Sequence, residues 1–111
     1  RAGAVPKAVE FEVEQLAYLV GKLKQTKDGA GSLLDNTLLY FSSEVADGNS
    51  HAHTDLPTLL LGRLGGAVRP GRHIRYEGVP MANLFVSILN GVGVSTSRFG
   101  DDSTGPLSGL E

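Results

Sequence analysis

Two short and almost unbroken apolar runs, NTLLYFSSE and PTLLLG, limit what this chain can fold into more than any other feature. A strand with one wet face alternates apolar and polar residues, whereas a strand covered on both faces does not. Both runs are too short for core helices and are bounded by turn formers, so strands are predicted over residues 36–43 and 58–61. Strands buried on both faces require layers above and below. The expectation is an α/β fold, a small and mainly parallel sheet flanked by helices. The connection over residues 44–57 is just long enough for a parallel crossover, which takes about a dozen residues.

Two helices are predicted to supply the outer layers. In residues 8–26, Phe11, Leu16, Leu19, Val20 and Leu23 follow a 3.6-residue period, and Val13, Ala17 and Tyr18 widen the stripe. Glu10, Glu12 and Glu14 precede Lys22 and Lys24, the order that suits the helix dipole. Pro6 marks the start and KDGAGS the stop. The second helix starts near Pro80 and ends at Gly91 or Gly93, with Met81, Leu84, Phe85, Ile88 and Leu89 on its apolar face. Both apolar faces are expected to be buried against the sheet. A short polar strand is predicted at RHIRY, and residues 98–111 read as a surface tail anchored at Phe99.

The chain has 111 residues, enough for one domain with a core. A net charge of −2 gives no bulk attraction to nucleic acid or to an anionic membrane. No apolar run approaches the roughly 20 residues of a transmembrane helix. With no cysteine, a disulfide frame and a thiolate metal site are both ruled out. The sequence begins at Arg1 with neither an initiator methionine nor a signal peptide. We therefore expect a processed piece or a fragment of a longer protein.

The segment between the two apolar runs carries the chemistry. It holds Glu44, Asp47, His51, His53 and Asp55, including two of the chain's three histidines. On an extended backbone, His51 and His53 at i and i+2 would present both rings on one face. Neutral imidazoles bind zinc and similar divalent metals, and a carboxylate can add an oxygen ligand. A plain polar loop is the competing interpretation. Other motifs fit less well. Gly48 is misplaced for an EF-hand, and Thr58 stands where the closing glutamate would be. Ser42 and Ser43 lack a G-x-S-x-G elbow and read as strand-end caps. Gly62, Gly65, Gly66 and Gly71 make turns rather than a dinucleotide fingerprint. Arg63, Arg69, Arg72 and Arg75 could attract an anion but read more simply as a solvated face, and His73 reads as a solvated residue on an edge strand.

The block LLDNTLLYFSSEVADGNSHAHTDLPTLLLG resembles a bacterial family of unknown function, domain of unknown function 1552, named for an HXXSHH motif. GRHIRY, MANLFVSILNGVGV and FGDDSTGPLSGL resemble it too, so the likeness spans nearly the whole chain. It implies an exported bacterial protein, periplasmic or extracellular, with the naming motif upstream of Arg1; residues 1–111 would be its single C-terminal fragment, and the missing N-terminal part its main partner. More distantly, the strand–histidine segment–strand pattern is similar to the C-terminal part of the alkaline phosphatase and sulfatase superfamily. That similarity implies an alkaline-phosphatase-like architecture, with Ser43 and Glu44 at an Asp-His metal pair and His51 or His53 as the later histidine. The implied function is a metal-dependent hydrolase-like site, holding zinc or another divalent metal, for a small anionic phosphate or sulfate ester. Glu44, His51 and His53 would be its metal ligands, and Ser43, Asp47 and Asp55 would stand around them. Ser43 is a poor ligand in the place of an aspartate, and the nucleophile would lie in the missing part. The alternative is a secreted binding or scaffold module that keeps the fold without the chemistry.

Overall fold

The computed structural model of the chain describes residues 4–43 and 56–111. The first element is helix α1, Ala4–Gln25. Pro6 falls in its first turn, where a backbone N–H has no intrahelical partner to lose. Lys22 and Lys24 occupy the last turn and complement the dipole. The Thr26 hydroxyl closes that end by donating to the Lys22 carbonyl at 2.7 Å. The predicted stop KDGAGS is itself a miniature hairpin, with β1, Lys27–Asp28, pairing antiparallel to β2, Gly31–Ser32. Gly29 sits in the turn at φ 62°, which only glycine adopts freely.

A 3-10 turn, Leu33–Asn36, follows and is fixed by a capping box. The Ser32 N–H donates to Asp35 Oδ2 at 3.0 Å, and the Asp35 N–H reaches back to Ser32 Oγ at 3.4 Å. Asn36 therefore ends a helical turn rather than starting a strand. The two apolar runs become β3, Leu39–Ser42, and β4, Thr58–Leu61.

Their pairing corrects the main topological expectation. β3 and β4 are antiparallel, with Leu39 opposite Leu61 and Ser42 opposite Thr58. An antiparallel pair needs only a reversal of the chain, whereas a parallel pair needs a crossover that returns along the strand, usually as a helix. DGNSHAHTD has no helical period to supply one. The fold is thus a mixed helix–strand arrangement with two small antiparallel pairs, and no parallel sheet occurs among the described residues. Each strand of the second pair leaves one large side chain exposed, Tyr40 in β3 and Leu59 in β4. The unbroken apolar pattern had predicted cover on both faces.

Gly62 locks the end of this hairpin. Its φ is 105°, and a Cβ there would lie 2.1 Å from the Thr37 carbonyl oxygen. That close approach lets Arg63 N–H reach the Leu34 carbonyl and Leu64 N–H the Thr37 carbonyl. A second 3-10 turn, Leu64–Gly66, then leads to residues 72–76, which are irregular rather than the predicted polar strand.

Helix α2, Ala82–Gly91, shares the core with Val68 and Leu110. Leu84 is 5% exposed and Val86 0%. Gly91 allows its last turn to approach the second 3-10 turn, since a Cβ there would come within 2.8 Å of Leu64. Phe85 contacts Tyr40 of the hairpin edge-on at 5.4 Å and Phe99 at 5.2 Å. The predicted anchor at Phe99 is therefore one of several that hold the last segment. Asn83 exchanges two hydrogen bonds with Thr104, at 2.9 and 2.8 Å. Ser87 bonds the backbone of Leu107, and Asn90 accepts from Thr96 N–H at 3.0 Å. Leu110 is buried, and its carbonyl accepts from Arg69 N–H at 2.8 Å and from the Arg72 guanidinium at 3.0 Å. The Tyr76 hydroxyl donates to the Ser108 carbonyl.

Helix α1 departs from expectation. Leu16, Val20 and Leu23 are half-buried where its C-terminal half meets β2 and the first 3-10 turn, but Leu19 is exposed. Val9, Phe11 and Val13 are also exposed, Phe11 by 60%. At 1.5 Å per residue the helix is about 33 Å long, and β2 and the first 3-10 turn are short elements that meet it.

Candidate functional site

The candidate ligands Glu44, His51 and His53, and Asp47 and Asp55 beside them, lie outside the described residues. What the structure does describe is the frame that holds both ends of their segment. β3 delivers the chain to Ser43, and β4 takes it up again at Thr58. Ser42 and Thr58 are direct partners in the register, so the two ends are neighbours on adjacent strands.

Side chains reinforce this mouth. Ser42 Oγ is 2.8 Å from the Pro57 carbonyl oxygen and 3.2 Å from Thr58 Oγ1. A hydroxyl has one proton to give. Since a carbonyl only accepts, Ser42 donates to Pro57, and Thr58 is left to donate to Ser42. Ser42 is therefore engaged across the ladder and is not poised as a nucleophile. Ser43, the residue next to Glu44, is exposed at the rim. Pro57 has no N–H to contribute to the ladder, so its carbonyl is the group through which it joins the clamp. Sequence reasoning had noted Ser42 but not its partners Pro57 and Thr58. The available signal was a pair of hydroxyl residues at matching ends of two apolar runs, which becomes a cross-strand pair only once the antiparallel register is known.

The other candidates are dispersed or otherwise used. Arg72 donates to the carbonyls of Arg69 and Leu110 and so holds the last segment. Arg75 pairs with Glu77 at 3.6 Å and Arg63 with Asp35 at 3.7 Å, both largely in solvent. His73 is exposed. Among the described residues, no three His, Asp or Glu side chains are grouped so that they could hold a metal ion. Also among the described residues, no helix is long and apolar enough to cross a membrane.

The donor set in the segment itself still suits a metal. Its sequence holds two imidazoles and carboxylates, residue types from which three-ligand zinc sites are made. No protein-family model, curated protein or solved structure matches the chain.

Proposed function

We propose that this chain contributes a divalent-metal site, built on residues 44–55, to a hydrolase-like centre acting on phosphate or sulfate esters in an exported bacterial protein. The observation that supports this most is the clamped mouth formed by Ser42, Pro57 and Thr58. A segment whose ends are already held together has less conformational entropy to lose when its side chains converge on an ion. Glu44, His51 and His53 are the ligands, with Ser43, Asp47 and Asp55 around them. The bound metal would supply an activated water. The nucleophile and any remaining ligands would come from the missing N-terminal part. The alkaline-phosphatase-like architecture belongs to the same proposal.

A specific observation favours a second reading. The ester-hydrolase analogy leans on a parallel sheet, and β3–β4 is antiparallel. A non-catalytic module that retains the segment without the chemistry accommodates that pairing without further assumption.

Calorimetric titration of zinc and of manganese into the wild type and a His51→Ala/His53→Ala variant separates the two. It is run at about pH 7.5, where imidazole is ordinarily neutral. Binding by the wild type that the double variant loses supports the metal site. Equal, weak binding by both leaves the scaffold reading ahead. Hydrolysis of aryl phosphate and sulfate esters by the longer protein, abolished by the same pair of substitutions, would establish the ester chemistry.

A further inference from the structure

The hairpin has a second end, and a cleft opens there. It has a volume of about 630 Å³, within the range of small-molecule sites. The half-buried Val20, Leu34 and Leu60 contribute apolar lining, and Lys24, Asp35 and Arg63 contribute the charged groups. Leu61, at the β4 exit, also lines it and pairs with Leu39, whereas the clamped mouth is at the Ser42–Thr58 pair. The two ends are three residue steps apart, about 10 Å along the strand. The described lining of the cleft includes no residue of segment 44–55 and sits at the other end of the ladder from the clamped mouth, so the inference does not use the metal reading.

Its charges select a ligand class. Asp35 is already committed, accepting from Ser32 N–H and facing Arg63 Nε at 3.7 Å. At 3.7 Å the Arg63–Asp35 contact is loose, and the Arg63 side chain is 59% exposed. Among the described residues Lys24 has no ion-pair partner. The three charged groups sum to +1, which matches a monoanion. A dianion would bring surplus charge against Asp35. A guanidinium offers paired donors to a planar carboxylate, and the leucine and valine lining takes an apolar body.

We infer that this cleft binds a small monocarboxylate with an apolar chain, its carboxylate between Lys24 and Arg63 and its chain against Val20, Leu34 and Leu60. The test is titration of the whole chain with hexanoate, followed by amide NMR shifts, with hexanol and inorganic phosphate as the uncharged and bodiless controls. Hexanoate is expected to give saturable shifts at Ser32, Gly62, Arg63 and Gly71. Hexanol and phosphate should each bind more weakly. Lys24 and Arg63 are exposed, so their alanine variants should fold, and each should weaken hexanoate roughly two- to fivefold, as expected for solvent-exposed charge contacts. The inference is overturned if those amides do not move, if hexanol or phosphate binds as well as hexanoate, or if Lys24→Ala and Arg63→Ala leave the affinity unchanged.

Discussion

Helices α1 and α2 look alike as sequence, since each carries apolar residues at helical spacing and ends at a clear stop. They differ in what returns to cover them. α2 has only 10 residues, yet it holds the two most deeply buried large side chains, Leu84 and Val86. The hairpin and second 3-10 turn lie on one side of it, and the last segment is bound to the other through Asn83, Ser87 and Asn90. α1 has 22 residues and a longer stripe, but the described residues before Leu16 are exposed, and the half-buried Leu16, Val20 and Leu23 fall in its second half. A helix gains most of its stability from tertiary packing of its apolar face, so periodicity alone does not measure burial.

The largest loss is expected at Gly62, where the end of β4 meets the first 3-10 turn. Gly62→Ala forces a side chain into the Thr37 carbonyl at a positive φ. A loss of about 4 kcal/mol or more in denaturant unfolding is expected. A small loss would mean that β4 can leave the first 3-10 turn without disturbing the core. Leu84→Ala is expected to cost about 3 kcal/mol, because the cavity opens in the best-packed region. A loss below about 0.5 kcal/mol would place α2 at the surface and erase the contrast.

Asn83→Ala sharpens the comparison on the polar side of α2. It removes both bonds to Thr104 from a nearly buried position. The expected cost is about 2 kcal/mol, since two hydrogen bonds worth about 1 kcal/mol each are lost. Hydrogen exchange at Thr104 should quicken with it, and unchanged exchange would show that the last segment is held without Asn83. The smallest effect is expected at Phe11→Ala, under about 0.5 kcal/mol, because the ring is already in water. Exposed apolar residues of this kind also promote association. Light scattering should therefore show less self-association in the variant, and a loss of stability instead would reveal a packing partner for Phe11.

The legible parts were those fixed by local chemistry. Pro6, the KDGAGS stop and the α2 boundaries could be read because they depend on caps, dipoles and glycine freedom within a few residues. The clamp at the candidate metal segment was half legible. Ser42 was identifiable as a strand-end hydroxyl, but Thr58 and Pro57 become its partners only through the antiparallel register. Asn83, Ser87 and Asn90 were read past because polar residues at helical spacing ordinarily mark a wet face. Here they satisfy the backbone of a returning segment.

By itself the sequence determined, to within a few residues, where the two helices and the two apolar strands occur. These follow from periodicity and turn residues, both of them short-range properties. Only the tertiary structure decided the strand direction, the exposure of the first half of α1 and the binding of the last segment across α2. Each depends on which distant segment arrives to bury a face or satisfy a donor. An apolar run or a row of asparagine and serine side chains does not specify that partner until the chain has closed on itself.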